Sequence, residues 1–507
     1  MKRHITLLLF AIVALALAAQ QPRKVTRRWF ADPDVSIATP AFTTGRYYTS
    51  YKRMLAYLDS EAAAHPGLVR VETVGTTQKG RNIPLVSISD GKSSPSKLRV
   101  LYVGSLHGNE HAGTEGLMWL VHQLTADTEV SRLLDDIDFY ILPMLNVDGS
   151  EADSRYTHNG TDPNRDQTRL STPEAQCLHN VASRVMPHVF VDFHEFKPLR
   201  TAYEDLSPRL ISNPFDFMFL YSSNPNVYQG LTRLVEEAFI PEAQHMAQQW
   251  GLQNTTYFTT KTEGGRTVMN IGGQSARSSS NIMALRGCVS LLMEMRGIGL
   301  GRTSYLRRVN TVYQLSLSYA ATAVRHADAL RQAVAEAATQ QTPIATDYKV
   351  PLEKSHPFEF IDLLRNEKVT LPVDAHPARQ LEVKRSVARP KAYVIAATEE
   401  LAIALVEKFG ITFRRLEAAE TLPLEAYRVT AARTQKAEVL GIRPVSVSVE
   451  TETASVALPA GSIVIPMDQP LATLAAILLE PECSNGFVNF RVVEAKAGET
   501  LPIYRVK

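Results

Sequence analysis

Apolar residues in the first two thirds of the chain recur with two spacings, one typical of helices and one of buried strands. Residues 51–63 carry Met54, Leu55 and Leu58 at helical spacing, which predicts an early helix that ends before Pro66. Four short apolar runs predict buried strands, with helical patterns between them. Strands that alternate with helices indicate an α/β fold with a mixed, largely parallel sheet flanked by helices. The predicted strands are residues 98–105, 138–145, 189–193 and 288–295.

Two features further along bear on the organisation of the chain. Residues 305–337 carry one continuous apolar stripe, which predicts a single long helix. Residues 340–357 are rich in polar residues and proline, which favours a linker.

Within the predicted strand 138–145, Pro143 indicates an edge position or a bulge, because proline has no backbone N–H to donate.

The region from residue 358 onward has a different pattern. Val445, Val447 and Val449 alternate with polar residues, which predicts a strand with one buried face. Two more strands and one helix are predicted in this region, at residues 458–466, 487–493 and 401–409. The sequence therefore predicts two domains, an α/β domain and a smaller β-rich C-terminal accessory domain, which span residues 45–338 and 358–507.

Composition narrows the classes of protein to which this chain can belong. Of its 507 residues, 45% are hydrophobic and 21% are charged, which is ordinary for a globular protein. The 54 basic and 52 acidic residues nearly balance, so the chain lacks the excess of positive charge typical of nucleic-acid binding. Three well-separated cysteines allow one disulfide at most, and they form no Cys-x-x-Cys zinc or redox motif.

The N-terminus has the pattern of a secretory signal peptide. Lys2 and Arg3 precede an apolar run at residues 5–17, which overlaps small residues at 16–18. A membrane anchor is the alternative, but the run is shorter than the about 20 residues that a membrane-spanning helix needs. We therefore predict a cleaved signal peptide at residues 1–19, a secreted or periplasmic location, and no stable membrane association.

Side chains able to bind a metal follow two of the predicted strands. His107 and Glu110 come after strand 98–105, and His194 comes directly after strand 189–193. In open α/β sheets, ligands bind outside the carboxyl ends of the strands. Two imidazoles and one carboxylate are the ligand set of a catalytic zinc site with an open position for water. This set suits Zn²⁺ better than Ca²⁺ or Mg²⁺.

Each of these residues also has an ordinary structural interpretation. A His-x-x-Glu pair is common by chance, and a single histidine such as His194 is more often a buried, hydrogen-bonded residue. His107 and His111, four residues apart, are a rival metal pair. That pair needs a continuous helix, which Gly108 disfavours, whereas Gly108 permits the tight bend that turns His107 and Glu110 toward one ion.

Five short motifs follow one another along the chain: His107-Gly108-Asn109-Glu110, Asn146-Val147-Asp148-Gly149, Asp162-Pro163-Asn164-Arg165-Asp166, Asp192-Phe193-His194 and Glu294-Met295-Arg296-Gly297. In this order they resemble the motifs of the zinc metallocarboxypeptidase family, the carboxypeptidase A-like enzymes. Any one motif alone is weak, whereas five in the family's order are specific. The resemblance covers residues 45–335 and leaves the C-terminal region outside.

The resemblance implies a Zn²⁺ cofactor and hydrolysis of the C-terminal bond of peptide substrates. His107, Glu110 and His194 match the family's zinc ligands, and Glu294 matches its general base. Zinc makes a water molecule acidic at neutral pH, so a nearby carboxylate can take the proton and later pass it to the leaving amine. The ordinary alternative for Glu294, a carboxylate inside an apolar strand with no partner, is costly.

Three further residues are implied to bind substrate or to polarise it. Arg155 is similar in place to the family's arginine that polarises the scissile carbonyl, and Asn164 and Arg165 match the pair that holds the terminal carboxylate. A guanidinium offers a planar fork that matches a carboxylate. An anchor of this kind beside the metal limits cleavage to the last peptide bond. Surface or helix-capping roles are the alternatives for both arginines.

The chain also departs from the family's pattern. The family's mobile tyrosine is missing from residues 272–281, and Arg277 or Asn281 is predicted to contact the substrate there instead. Asp166 and Gln167 stand where the family often has another asparagine and an aromatic residue. The residue that shapes the side-chain pocket is therefore not identified by the resemblance.

Three functions remain to be distinguished at this point. The first is a secreted zinc carboxypeptidase that acts on ordinary or cell-wall peptides. The second is a zinc amidohydrolase that deacylates N-acyl amino acids, similar to aspartoacylase, which shares the metal set and the Asn-Arg pair. The third is a catalytically silent peptide-binding protein, which the presence of Glu294 and all three ligands disfavours. A signal peptide and a long accessory region favour peptide substrates.

Overall fold

The structure is a computed structural model, and it describes residues 21–45, 47–92, 94 and 96–507. The predicted signal peptide lies outside the described residues. The α-helices are Arg23–Trp29, Pro40–Thr43, Tyr51–Ala64, His111–Ala126, Thr128–Ser131, Val147–Glu151, Pro173–Val185, Gln229–Leu234, Ile240–Gln249, Ser279–Leu285, Tyr305–Arg325, Ala327–Thr339, Glu400–Lys408 and Ala472–Leu479. The strands of the first half are β1 Val69–Thr76, β2 Asn82–Ile88, β3 Leu98–Gly104, β4 Ile137–Leu142, β5 Val189–Phe196, β6 Ile211–Ser212, β7 Phe217–Tyr221, β8 Asn254–Thr256, β9 Phe258–Glu263, β10 Arg266–Ile271 and β11 Val289–Arg296. Those of the second half are β12 Ile344–Lys349, β13 Glu353–Asp362, β14 Glu367–Pro377, β15 Glu382–Val387, β16 Ala392–Ile395, β17 Arg414–Arg415, β18 Glu420–Thr434, β19 Val445–Leu458, β20 Ile463–Pro466 and β21 Thr500–Val506.

An eight-stranded sheet forms the centre of the first half, with strand order β1-β2-β4-β3-β5-β11-β7-β8. Strands β4, β3, β5 and β11 run parallel to one another, whereas β1, β2 and β4 pair antiparallel and β7 pairs antiparallel with β11. The parallel strands β3, β5 and β11 stand side by side. Their carboxyl ends therefore meet at one edge of the sheet.

Both faces of this sheet are covered, because alternate residues of its central strands point to opposite sides. Tyr102 of β3 belongs to the apolar cluster that contains the helices His111–Ala126 and Tyr305–Arg325. Leu101, one residue earlier, belongs to the cluster on the other face with the helix Pro173–Val185. Burial on both faces explains why the sequence of β3 reads as a nearly continuous apolar run.

Residues 340–357, predicted as a linker, contain β12 and the start of β13, so that prediction was wrong. A five-stranded sheet of order β6-β13-β14-β10-β9 joins β13 to segments of the first half, whereas β12 pairs with β15 in a separate two-stranded sheet. Several side chains of β12 and β13 are exposed. Strand β12 pairs with β15, whereas β13 pairs with β14 and with β6, which is far away along the chain. Local polarity therefore reflected solvent-facing strands. Residue 358, where the accessory domain was predicted to begin, lies inside β13; the two-domain division stays a prediction.

The C-terminal part is built on a six-stranded sheet of order β17-β20-β16-β21-β18-β19, with the predicted helix present at Glu400–Lys408. Its core is continuous with one face of the large sheet, since Phe190 and Leu405 belong to the same apolar cluster. Residues 487–493, predicted as a strand, form turns whose apolar side chains are buried without strand pairing, so that prediction was wrong. The mixed, helix-flanked sheet and the β-rich C-terminal region confirm the predicted fold class.

Two local predictions were also wrong. The predicted long helix is two helices that meet at His326, because a continuous apolar stripe does not reveal a bend when each half packs on a different neighbour. Strand β4 ends at Leu142, before Pro143, and lies between β2 and β3. Pro143 therefore ends a central strand, where its missing N–H costs no ladder bond, and it marks neither an edge nor a bulge.

Candidate active site

The predicted metal ligands lie at the carboxyl edge formed by the central parallel strands. His107 stands in the short loop between β3 and the helix His111–Ala126, and Glu110 is the N-cap residue of that helix. His194 and Glu294 lie opposite each other on the neighbouring strands β5 and β11, as Cα partners in the ladder. His107 and Glu294, which are 187 positions apart in the sequence, thus meet at one place because the sheet topology brings their strand ends together.

The donor atoms of His107, Glu110 and His194 converge tightly. All three lie within 4.8 Å of one another, and all three side chains are buried. The two imidazole Nδ1 atoms are 3.0 Å apart, and the Glu110 carboxylate oxygens lie 2.9 Å from His107 Nδ1 and 2.7 Å from His194 Nδ1. Tetrahedral Zn²⁺ with bonds of about 2.0–2.1 Å separates two donors by about 3.3 Å. The donor spacing fits one such ion.

Each imidazole is supported from behind by a carboxylate that sequence reasoning did not assign. Asp162 Oδ1 lies 3.2 Å from His107 Nε2, and Asp192 Oδ2 lies 2.7 Å from His194 Nε2. In the neutral tautomer that donates Nε2–H to these carboxylates, both Nδ1 atoms present lone pairs toward Glu110. Positive charge between these three acceptors, supplied by a metal ion or by a proton on an imidazole, stabilises the arrangement. The chemistry of the donor set therefore agrees with a bound metal.

A sequence signal for Asp192 existed. Asp192 and His194 are two residues apart on β5, so their side chains lie on the same side of the strand, where they can pair. Ser279 Oγ also donates to Asp192 Oδ2 at 2.5 Å, which links the helix Ser279–Leu285 to this pair. Asp192 and His194 are both fully buried, so the hydrogen bond is shielded from water.

The charges of the site hold Glu110 in its ionised form. Burial alone would raise the pKa of Glu110, but His107 and His194 outweigh it and hold the pKa well below its ordinary value. Burial likewise opposes protonation of His194, yet Asp192 and Glu110 outweigh it and raise the pKa of His194 well above its ordinary value. The surroundings therefore stabilise positive charge at the point where the three donors meet.

Glycine is required at position 108 because two backbone segments approach each other closely there. A Cβ atom at Gly108 would lie 2.0 Å from the carbonyl carbon of Gly149. Gly149 belongs to the helix Val147–Glu151, whose N-terminus is capped by Asn146 through a 3.0 Å bond from the Gly149 N–H. Two of the sequence motifs thus pack directly on each other, and the conformational freedom of glycine is not the reason for Gly108.

Glu294 lines a cavity of about 560 Å³ together with His107. Its Oε2 atom is buried and has no hydrogen-bond partner among the described residues. Burial, followed by the charge of Glu110, raises the pKa of Glu294 to about 7. A carboxylate with a raised pKa that faces a cavity next to a cation site is a group suited to proton transfer at neutral pH.

The predicted substrate-binding residues lie in the same cavity. Arg155 pairs with Asp162 at 3.0 Å, and its Nη1 is 3.1 Å from His107 Nδ1, so it borders the metal ligands directly. Asn164 accepts the Ser279 N–H through Oδ1 at 2.7 Å, which leaves its amide group to bind a ligand. The structure therefore brings together every residue predicted for the site. The remaining cavity-lining members of that set are Arg165, Arg277 and Asn281.

The cavity also contains residues that sequence reasoning missed. Tyr257, between β8 and β9, lines it, and burial, followed by the charge of Glu294, raises its pKa to about 12. Strands of the second half supply part of the wall, through Tyr348 and Lys349 of β12 and His376 of β14. No local pattern in the sequence marks these residues, because β12 and β14 reach the site only through long-range packing and strand pairing.

Other candidate centres are excluded within the described part of the chain. There, His107, Glu110 and His194 are the one group of three or more His, Cys, Asp or Glu side chains placed to hold a metal ion. Cys177, Cys288 and Cys483 are buried and unpaired. Residues 21–45, 47–92, 94 and 96–507 include no helix long and apolar enough to span a bilayer.

Comparison with known proteins agrees with the geometry of the site. Residues 54–179 match a family model described as zinc carboxypeptidase. This segment contains His107 and Glu110, as well as the substrate-side residues Arg155, Asn164 and Arg165, whereas His194 and Glu294 lie beyond it.

Relatives along most of the chain include two fungal proteins. Carboxypeptidase 2 of Trichophyton equinum is 29% identical over 447 residues, which cover 85% of this chain and 81% of the relative. Carboxypeptidase 2 of Trichophyton rubrum is 27% identical over 515 residues, which cover 98% and 94%. Among solved structures, a metallo-carboxypeptidase from Burkholderia cenocepacia aligns with a TM-score of 0.41 and 20% identity, over 54% of this chain and 69% of that one.

Proposed function

We propose that the chain is an exported member of the zinc carboxypeptidase family and removes the C-terminal residue of peptides. The observation that carries the proposal is the convergence of His107, Glu110 and His194 beside Glu294, in the cavity that also contains Asn164 and Arg165. A metal-binding set, a proton-transfer group and a carboxylate-binding pair are the parts that an exopeptidase needs.

His107, Glu110 and His194 would hold Zn²⁺, with Asp162 and Asp192 fixing the tautomer and orientation of the two imidazoles. When bound, zinc supplies Lewis-acid chemistry, because it makes a water molecule acidic near pH 7 and polarises a carbonyl group. The buried surroundings strengthen these electrostatic effects, since the local dielectric constant is lower than that of water.

Glu294 takes a proton from the attacking water and passes it to the amine that leaves. Its carboxylate suits both tasks, because burial and the nearby charge of Glu110 raise its pKa toward neutrality. Arg155 stabilises the negative charge that develops on the carbonyl oxygen, which its position beside His107 and Glu110 allows. Asp162 holds the Arg155 guanidinium in this position through two contacts near 3 Å.

Asn164 and Arg165 bind the terminal carboxylate of the substrate. The Asn164 amide group is oriented by the bond that its oxygen accepts from the Ser279 N–H. Arg165 donates to the Asn164 carbonyl at 2.8 Å and has no ion pair with an acidic side chain in the part of the chain that the structure describes. A carboxylate anchored here brings the last peptide bond of the substrate to the metal ligands, so internal bonds are excluded.

The exported location rests on the N-terminal sequence pattern. Residues 1–19 combine a basic start, an apolar segment and small residues, which is typical of a cleaved signal peptide. N-terminal sequencing of protein recovered from the culture medium or periplasm tests this part of the proposal. A mature chain that begins near residue 20 is expected, and recovery of the intact N-terminus from the cytoplasm would contradict it.

Mass spectrometry of peptide digests tests the activity. The zinc-loaded protein is expected to remove residues one at a time from a free C-terminus and to leave a C-terminally amidated copy of the same peptide intact, because Asn164 and Arg165 then lack their carboxylate ligand. Glu294→Gln is expected to abolish release, whereas Glu417→Gln, at an exposed position, serves as the matched control. Hydrolysis of N-acyl amino acids without any peptide cleavage would support the amidohydrolase alternative and contradict the proposal.

A further inference from the structure

The cavity around Glu294 is lined mainly by positive charge. Among its lining residues in the described chain, Glu294 is the single acidic side chain, whereas arginine, lysine and histidine contribute six cationic or titratable basic groups besides the metal ligand His107. These six are Arg155, Arg165, Lys261, Arg277, Lys349 and His376. A cleft lined by one sign of charge favours ligands of the opposite sign.

Three of these basic groups already have partners. Arg155 is paired with Asp162 at 3.0 Å. Glu263 lies 2.6 Å from Lys261 Nζ and 3.0 Å from His376 Nε2, so one carboxylate serves both. The charge that remains for a ligand is therefore carried by the other three groups.

Arg165 and Arg277 are the two partly buried groups whose positive charge is available to a ligand. In the described chain neither has an ion pair with an acidic side chain, and the Arg277 side chain has no hydrogen bond. Burial, followed by the neighbouring charge of Arg165, lowers the pKa of Arg277. Lys349, the third group, is exposed at the cavity wall, with no ion pair within the described residues.

The loop that faces these arginines from the C-terminal region does not neutralise them. Arg165 and Arg277 also line a second cavity of about 690 Å³, together with the carboxylates of Asp162 and Glu438. Asp162 already pairs with Arg155 at 3.0 Å and lies 3.2 Å from His107 Nε2. Glu438 already pairs with Arg443 at 3.4 Å. Two adjacent guanidiniums with little compensating negative charge repel each other in partly dehydrated surroundings. Binding of more than one anionic group at this site is therefore favourable.

We propose that the cavity selects peptides whose C-terminal residue is aspartate or glutamate, with Arg277 binding the side-chain carboxylate while Arg165 and Asn164 bind the α-carboxylate. This inference rests on the proposed function, since the α-carboxylate is assigned there to Arg165 and Asn164. A C-terminal acidic residue brings two carboxylates only a few bonds apart, which matches two neighbouring guanidiniums. Lys349 at the cavity wall adds attraction for the same ligand.

Hydrolysis of four peptides that differ only in a C-terminal Glu, Gln, Leu or Lys tests the proposal through kcat/KM. The wild-type enzyme is expected to prefer Glu over the uncharged isostere Gln by about tenfold or more, the value of one good charge-assisted hydrogen bond. Arg277→Gln is expected to remove most of this preference, with a much smaller loss for Gln and Leu. Arg277→Glu is expected to turn the preference toward Lys. Arg428→Gln, at an exposed position on β18, is the matched control and is expected to keep the wild-type order.

Two results would overturn the inference while leaving the proposed function intact. One is a wild-type enzyme that cleaves all four peptides without preferring Glu over Gln. The other is an Arg277→Gln variant with an equal loss for all four, which would make Arg277 a second ligand of the α-carboxylate.

A binding measurement keeps the two proposals separable if no peptide is cleaved. Calorimetry of the wild-type protein with free L-glutamate, L-glutamine and L-lysine then decides the selectivity alone. Tighter binding of glutamate that is lost in Arg277→Gln supports the inference although the proposed function fails. Equal binding of the three amino acids overturns both.

Discussion

Replacing Asp192 by asparagine tests whether the carboxylate behind His194 tunes the metal site. Asp192 Oδ2 accepts hydrogen bonds from His194 Nε2 at 2.7 Å and from Ser279 Oγ at 2.5 Å, and both Asp192 and His194 are fully buried. Asparagine has nearly the same shape but carries no charge. The substitution therefore leaves packing unchanged while it removes the negative charge that makes the His194 imidazole a stronger ligand.

The size of the effect follows from the position of the pair. Loss of a carboxylate behind a metal-bound histidine typically lowers metal affinity about 10-fold to 100-fold, which corresponds to about 1.4–2.7 kcal/mol of binding free energy. The buried position of Asp192 places the expected value at the upper end, because no solvent compensates for the missing charge. Ser279→Ala keeps the carboxylate and is expected to weaken zinc binding less than Asp192→Asn.

Zinc titration in competition with a chromogenic chelator measures the affinity of each variant. Asp328→Asn, at a fully exposed position, is the matched control and is expected to bind zinc as the wild type does. Circular dichroism and thermal melting establish that Asp192→Asn is folded. A folded Asp192→Asn variant that binds zinc within about twofold of the wild type, less than 0.5 kcal/mol, would refute the reasoning.

Two further predictions concern stability and the loop geometry. Burial raises the pKa of Glu174 to about 7, so the stability contributed by its protonated form is lost as pH rises from about 4.5 to about 7, by up to about 3 kcal/mol. The urea midpoint of Glu174→Gln should therefore fall less between pH 5 and pH 8 than the midpoint of the wild type or of Glu417→Gln. Equal decreases of the midpoint in all three proteins would contradict the assignment. Gly108→Ala, whose Cβ would meet the Gly149 backbone at 2.0 Å, should lose zinc and melt at a markedly lower temperature. Gly160→Ala, with φ +81° and open space around it, should keep its zinc at a cost of only about 1–2 kcal/mol, and a Gly108→Ala variant equal to it would contradict the packing argument.

The sequence predicted the part of the fold in which local pattern and final environment coincide. The central strands β3, β5 and β11 are buried on both faces, so their apolar runs identified them directly. The pattern misled at 340–357, where polar strands pair with remote segments, and at 487–493, where apolar residues fill a core without forming a strand. In both places long-range packing, which no short window contains, decided the structure.

The site was predictable to the extent that its residues follow strands or sit in short motifs. His107, Glu110, His194 and Glu294 follow or lie on adjacent parallel strands, so strand order brings them together. Their partners were harder to find. Asp192 could have been recognised from its spacing of two to His194, whereas Tyr257 and the cavity wall from β12 and β14 depend on contacts between distant parts of the chain.

The central claim is that His107, Glu110 and His194 hold one zinc ion next to Glu294, and zinc stoichiometry in purified variants tests it most directly. Elemental analysis after dialysis should find about one zinc per chain in the wild type and in Glu294→Gln, whose substitution spares the three ligands, and far less in His194→Ala. Folded His194→Ala protein with the same zinc content as the wild type would contradict the claim.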